Sequence, residues 1–162
     1  MNITFGPNGI LQIDNARIIF RNFRGEASKY NREGDRNFSV VIDDEELANT
    51  LLDDVNKYGV GWNVKIRPPR EDGDIPFMHL PVKVKFNAKG PIVRLTTGNR
   101  TIKLTEDTVD MLDEIDIRSV DLDIRPYDNE VNGKPFRSAY LHSIRVVQEV
   151  DRFADLDEDD NF

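Results

Sequence analysis

Residues 77–86 read FMHLPVKVKF, and their alternation constrains the fold more than any other stretch of this chain. Met78, Leu80, Val82, Val84 and Phe86 recur at every second position, which gathers them on one face of an extended strand and would scatter them around a helix. Such a strand has backbone donors and acceptors along both edges that other segments must satisfy, so the next question is which segments share the period. ARIIFRNFR (16–24) and RNFSVVID (36–43) do, the second with Phe38, Val40 and Ile42 on one face. WNVKIR (62–67) does too, and PIVRLTT and RTIKL flank a Gly98-Asn99 turn that predicts a hairpin. RSVDLDIRPY and PFRSAYLHSIRVV surround the turn signal Asn132-Gly133 and read as two more strands.

Helical signals are few. Asp43 is placed as an N-cap with Glu46 three residues on, followed by Leu47, Leu51, Leu52 and Val55 at helical spacing until Gly59. Thr105 is placed as the cap of a second short helix carrying Val109, Met111 and Leu112. Many strands, one or two short helices and no regular strand–helix alternation predict a mainly β fold, a small barrel with the helices as insertions. With 162 residues, 38% of them apolar, the chain can bury one core but not two, so residues 1–150 are expected to form one domain and residues 151–162 an acidic tail.

Several function classes are set aside by composition. The chain has no cysteine, which removes disulfides, thiolate metal sites and cysteine nucleophiles. The N-terminal MNITFGPNGI lacks the basic flank and apolar run of a signal peptide, and no segment approaches the roughly 20 apolar residues of a membrane helix. The expectation is a cytoplasmic protein without membrane contact. His79 and His142 stand alone in sequence and suggest packing or exposure rather than metal ligation. Asp121, Asp123 and Asp128 could in principle gather a divalent cation for an enzyme, but alternation more simply puts Asp121 and Asp123 on the wet side of a strand whose other side is Val120, Leu122 and Ile124. The reading is therefore a non-enzymatic protein with no cofactor and no metal.

The net charge of −8 conceals a segregation. Residues from Asp155 onward carry −5, Asp43 to Asp54 carry −6 and Glu106 to Asp128 carry −7, leaving +10 on the rest. A partner responds to local patches, so the total does not exclude a polyanion. Splitting the strands into faces locates the positive charge. In the first strand Ala16, Ile18 and Phe20 share one side, and Arg17, Ile19, Arg21 and Phe23 the other. Trp62, Val64 and Ile66 form an apolar side opposite Asn63, Lys65 and Arg67, which makes Trp62 a core residue. Opposite Met78 to Phe86 lie Phe77, His79, Pro81, Lys83 and Lys85, and the loop 25–35 with the strand start adds Lys29, Tyr30, Arg32 and Arg36.

Cations interleaved with exposed aromatics suit a single strand of nucleic acid, whose phosphates need positive groups and whose unstacked bases need flat platforms. A duplex keeps its bases stacked and is read by a helix or ribbon in a groove, and the helices here are acidic. The chain ends DLDEDDNF; a like-charge run is expected to be disordered, and the final Phe162 is not needed for solubility.

These features resemble the single-stranded DNA-binding proteins of tailed bacteriophages, which have the OB-fold. Residues 17–42, 61–72, 77–87, 116–128 and the closing VVQEVDRF (146–153) are similar to that family across nearly the whole chain. The resemblance implies an OB-fold-like domain that coats single-stranded DNA during phage replication or recombination, in the host cytoplasm. It assigns strand binding to Arg17, Arg21, Phe23, Lys29, Tyr30, Arg32, Lys65, Arg67, Phe77, Lys83 and Lys85, chosen here by face. It assigns recruitment of replication or recombination proteins to Asp155, Asp157, Glu158, Asp159, Asp160 and Phe162, and it leaves homo-oligomer formation open. Host-type relatives separate barrel and tail by a long linker that this chain lacks. The nine residues from Ala154 to Phe162 span at most about 30 Å, which suits folding back onto the protein's own basic face. The competing class is an acidic DNA-mimic protein that binds no oligonucleotide.

Overall fold

The alternating segment 77–86 forms β6 (Phe77–Val84), around which the rest of the sheet is organised. The structure, a computed structural model, describes residues 1–151; the tail assignments from Asp155 to Phe162 lie outside the described residues. In chain order β6 is preceded by β1 (Asn2–Phe5), β2 (Leu11–Asp14), β3 (Ile18–Asn22), β4 (Arg36–Ile42), the helix α1 (Glu45–Asp53) and β5 (Lys65–Arg67). It is followed by β7 (Ile92–Thr97), β8 (Arg100–Leu104), a 3-10 turn (Val109–Asp113), β9 (Ile117–Val131) and β10 (Lys134–Gln148).

One sheet runs β1-β2-β9-β10-β6-β4-β3, with β5 on the edge of β6 and the β7–β8 hairpin branching from β10. Strand β10 makes the branch possible. A bulge between Leu141 and Ser143 divides it, so that Tyr140 pairs in parallel with Lys83 of β6 while Ser143–Val147 pair in parallel with Ile92–Thr96 of β7. The turn between β9 and β10 has Asn132 and Gly133 at φ 52° and 79°, the left-handed pair that a two-residue hairpin requires. The sheet curls without closing. The amide of Ala16 nonetheless reaches the carbonyl of Val120 across the gap (2.8 Å), bringing the start of β3 against β9. The result is a mainly β, OB-like fold around a core that includes Trp62, Phe23, Phe38, Leu80, Leu95 and Ile124, all fully buried.

Four local expectations are corrected. The cap of α1 is Asp44, whose carboxylate accepts from Glu46 N (2.8 Å), and not Asp43. The helix stops at Asp53, well before Gly59, and leaves Val55 exposed, because the chain doubles back so that Trp62 can enter the core. Trp62 N donates to Leu51 O, Trp62 Nε1 donates to Asp54, and Gly61 passes so close to the last helical turn that a Cβ there would lie 2.0 Å from Leu52 O. Trp62 and Val64 are buried as expected, yet β5 comprises only 65–67 and Ile66 is half exposed, since this edge strand has a neighbour on one side alone. The second helix is a 3-10 turn that buries Val109 and Leu112 but not Met111.

A fifth correction bears on function. Ile19 pairs with Ser39 and Asn22 pairs with Asn37, three steps on β3 against two on β4. The extra residue is a β-bulge, with Phe20 at φ 54°, and it reverses the phase of everything after it. Phe20 therefore faces solvent, 60% exposed, whereas Phe23 is fully buried and stacks on Phe38 at 5.1 Å between ring centres.

Candidate nucleic-acid interface

Outward-facing residues of β3, β4, β5, β6, β10 and β9 line up in rows because neighbouring strands share register. One row holds Lys65, His79 and Val41, and Val41 N donates to the carbonyl of Arg17, which sets Arg17 at its end. A second row crosses four strands: Asn37, Lys83, Tyr140 and Arg125. Between them Ser39 lies opposite Pro81.

Aromatic rings punctuate both ends of this band. At one end Phe20, turned outward by the bulge, meets His79 edge-on at 5.5 Å and Phe77 at 6.3 Å, while the Arg67 guanidinium lies 5.7 Å from the Phe77 ring. At the other end Tyr140 is flanked by two cations, Lys83 at 5.8 Å and Arg125 at 5.0 Å, and meets Tyr127 edge-on at 5.8 Å. A cation beside a ring face is an arrangement that can meet a phosphate while the ring meets its base. Burial, followed by the charges of Arg67 and Lys65, lowers the pKa of His79, so the ring is neutral at neutral pH; its Nδ1 shares a hydrogen bond with Ser39 Oγ at 2.9 Å.

Beside the band the loop 24–35 forms one wall of an open cleft of about 550 Å³ whose other wall is β6 and Tyr140. The loop is held by its own polar groups. Asn22 and Glu26 exchange hydrogen bonds, Asn31 Nδ2 donates to the carbonyls of Glu26, Arg32 and Asp35, and Gly25 and Gly34 approach so closely that a Cβ on Gly25 would lie 2.9 Å from the Gly34 carbonyl carbon. Tyr30 projects from this frame, 89% exposed, with Lys29 5.6 Å from its ring.

The structure thus brings together Arg17, Lys65, Arg67, Phe77 and Lys83 on the sheet, with Lys85, Tyr30 and Arg32 on the cleft and Lys29 beside Tyr30. Arg32 forms a solvent-exposed ion pair with Asp35 at 3.5 Å, a contact easily exchanged for a phosphate. Two residues are placed elsewhere. Phe23 is a core residue because the bulge inverts its side. Arg21 is turned to the 3-10 turn, where its guanidinium donates to the carbonyls of Leu112 (2.7 Å) and Ile115 (2.8 Å).

Sequence reasoning missed Phe20, Arg125, Tyr127 and Tyr140. Phase would have found the last three, since Arg125 and Tyr127 alternate with Leu122 and Ile124, and Tyr140 lies between Ala139 and Leu141. Nothing in the residue order announces the bulge that exposes Phe20. The acids once weighed as metal ligands are engaged within the protein. Asp121 accepts from Asn15 N and pairs with Arg145 at 2.7 Å, contacts that lower its pKa, and Asp128 is likewise held low by Arg137 at 2.9 Å. Among the described residues no three His, Asp or Glu side chains converge as a metal cluster, and no helix is long and apolar enough to cross a membrane.

Comparison with known proteins gives a consistent result. The family model "Putative phage ssDNA-binding domain" matches residues 4–161. Among solved structures, the chain is similar to the single-stranded DNA-binding protein from bacteriophage Enc34 in complex with ssDNA, at a TM-score of 0.54 and 15% identity over 94% of each chain. It is similar to a C-terminal truncation of that phage protein at a TM-score of 0.54 and 14% identity, covering 93% of this chain and 92% of the other. At such identities the likeness is one of fold. No curated protein sequence matches.

Proposed function

The chain belongs to the phage ssDNA-binding domain family, and from that premise we propose that it binds and protects single-stranded DNA during phage replication or recombination. The strand runs over the band from Lys65, Arg67, Phe77 and Phe20 to Lys83, Tyr140 and Arg125, with the loop carrying Lys29, Tyr30 and Arg32 closing over it. The observation that carries this reading is the placing of rings beside cations on β3, β5, β6, β10 and β9, with Tyr140 held between Lys83 and Arg125. Bases stack on the rings at about 1–3 kcal/mol each and the cations displace counterions from the phosphates.

The acidic tail competes with DNA for the cationic band when tethered beside it, and yields when a strand arrives, freeing Phe162 and its neighbouring acids for replication proteins. The sequence pattern supports this: five acids and then Phe162 follow a stretch of chain whose remainder, outside the acidic segments, carries a net charge of +10.

A titration of labelled oligothymidine against duplex of equal length, at two salt concentrations and with and without magnesium, tests the main reading. Preference for the single strand, weakening with salt and indifferent to magnesium, is expected. Preference for duplex would sink it, and absence of any oligonucleotide binding would favour an acidic DNA mimic.

A further inference from the structure

The cleft beside β6 contains a polar atom whose orientation is fixed by its surroundings and which has no hydrogen-bond partner within the protein. Asn31 Nδ2 lies 2.9–3.0 Å from three backbone carbonyls, those of Glu26, Arg32 and Asp35. Carbonyls only accept, so the Asn31 amide cannot be turned the other way, and its Oδ1 must face Asn37. Asn37 in turn presents its nitrogen, donating to Asn31 Oδ1 (2.8 Å) and to the carbonyl of Asp35 (3.2 Å). This leaves Asn37 Oδ1 with a set direction and, among the described residues, no donor to satisfy it. Asn37 lines the cleft and lies in register with Lys83, one strand from Tyr140.

An oriented acceptor that has no protein donor and opens onto a cationic cleft is selective for the group that takes the place of solvent there. In a DNA strand the phosphate and deoxyribose oxygens only accept, and the internal donors are N–H groups of the bases. A phosphate at Asn37 would oppose two lone pairs, whereas a base edge would complete the bond.

We propose that Asn37 Oδ1 reads a base N–H, so that the cleft takes a nucleobase edge inward while the phosphates stay outside on Arg32, Lys83 and Lys85. The inference rests on the single-strand binding proposed above and adds to it a residue that distinguishes an unpaired base from a paired one. Thymine offers only N3–H, which a Watson–Crick partner occupies in duplex; an unpaired thymine offers it freely.

The test alters the DNA and leaves the protein intact. Oligothymidine is compared with the same strand carrying N3-methylthymine, which has lost the donor but keeps its phosphates and ring. The wild-type protein is expected to bind the methylated strand at least about five-fold more weakly, the range for leaving a polar group unpaired. The salt dependence should be the same for both strands, because the phosphate count is unchanged. In Asn37→Ala the ratio between the two strands should fall to near one whatever the absolute affinity, which separates base reading from support of the loop. Should that variant fail to fold, the carbon-13 shift of the wild-type Asn37 side-chain carbonyl serves instead: it should move on adding oligothymidine and stay fixed with an abasic strand. Equal binding of both strands, a ratio unchanged by Asn37→Ala, or a carbonyl shift that moves equally with the abasic strand would overturn the inference while leaving single-strand binding standing. Failure to bind unmodified oligothymidine at all would overturn both.

Discussion

Tyr140→Ala tests whether the face binds bases and not only charge. Tyr140 is half-buried on β10, with Lys83 and Arg125 on its ring and Tyr127 against its edge. Truncation removes one platform and releases two cations without deleting either. Loss of one base stack corresponds to about 1–3 kcal/mol, or roughly 5- to 150-fold in affinity. The salt dependence should stay as it was, because the number of phosphates neutralised is the same. Lys83→Ala is the complementary perturbation: it should shallow the slope of log affinity against log salt by about 0.7, the single-strand value per phosphate, with a smaller loss at high salt. Tyr140→Phe, which keeps the ring, should bind nearly as the wild type. The assay is fluorescence anisotropy with oligothymidine at four salt concentrations, with thermal melts to confirm folding. If Tyr140→Ala binds like the wild type, or flattens the salt slope as Lys83→Ala does, stacking at this ring is refuted.

Phe20 and Phe23 should separate cleanly: Phe20→Ala should weaken strand binding with little change in melting temperature, and Phe23→Ala should cost about 3–5 kcal/mol of stability in denaturant unfolding. His79 has a folded-state pKa below its unfolded value, so its contribution to stability is fully present above the unfolded value near 6.5 and is lost as pH falls from there through the lower folded-state value. Strand binding has the opposite sign: phosphates favour the imidazolium, so affinity should rise between pH 7 and 5, and His79→Gln should flatten that rise where His142→Gln does not. Deleting residues 154–162 should tighten strand binding at low salt and abolish recruitment of partner proteins in a pull-down. Unchanged affinity would count against competition by the tail.

The strands of the candidate face were legible wherever the period of two was unbroken. In β6 alternation assigned every residue from Phe77 to Val84 to its side, and the basic face of β5 followed from Lys65 and Arg67. The pattern failed where geometry departs from the ideal strand. At β3 a single extra residue exchanged Phe20 for Phe23, because a bulge leaves no mark on composition. At β9 and β10 the apolar phase was visible, but which outward residues adjoin β6 depended on a parallel pairing between strands more than 50 positions apart. Strands β1 and β2 were missed because each is only four residues long.

The acidic stretch after Thr105 shows why counting charge misjudged what the carboxylates do. Asp113 accepts hydrogen bonds from the amides of Phe23 (2.7 Å) and Arg24 (3.0 Å), the two residues that follow the bulged strand β3, and Arg24 pairs with both Asp113 and Glu114. Arg21 is held by carbonyls of the same turn. The acid therefore clamps the backbone that presents Phe20 outward. Electrostatics alone says that Asp113→Ala, by deleting a negative charge, should tighten the grip on a polyanion. The clamp says the reverse. Two amides lose their acceptor at a cost of about 1–3 kcal/mol each if water does not replace it, and Phe20 loses its fixed position beside Phe77 and His79. Weaker single-strand binding by Asp113→Ala, with an unchanged salt slope and a lower melting temperature, is expected. Asp113→Asn should recover part of the affinity, since its amide oxygen still accepts. Tighter binding by Asp113→Ala would mean that the acid acts only through its charge and that the bulge needs no clamp.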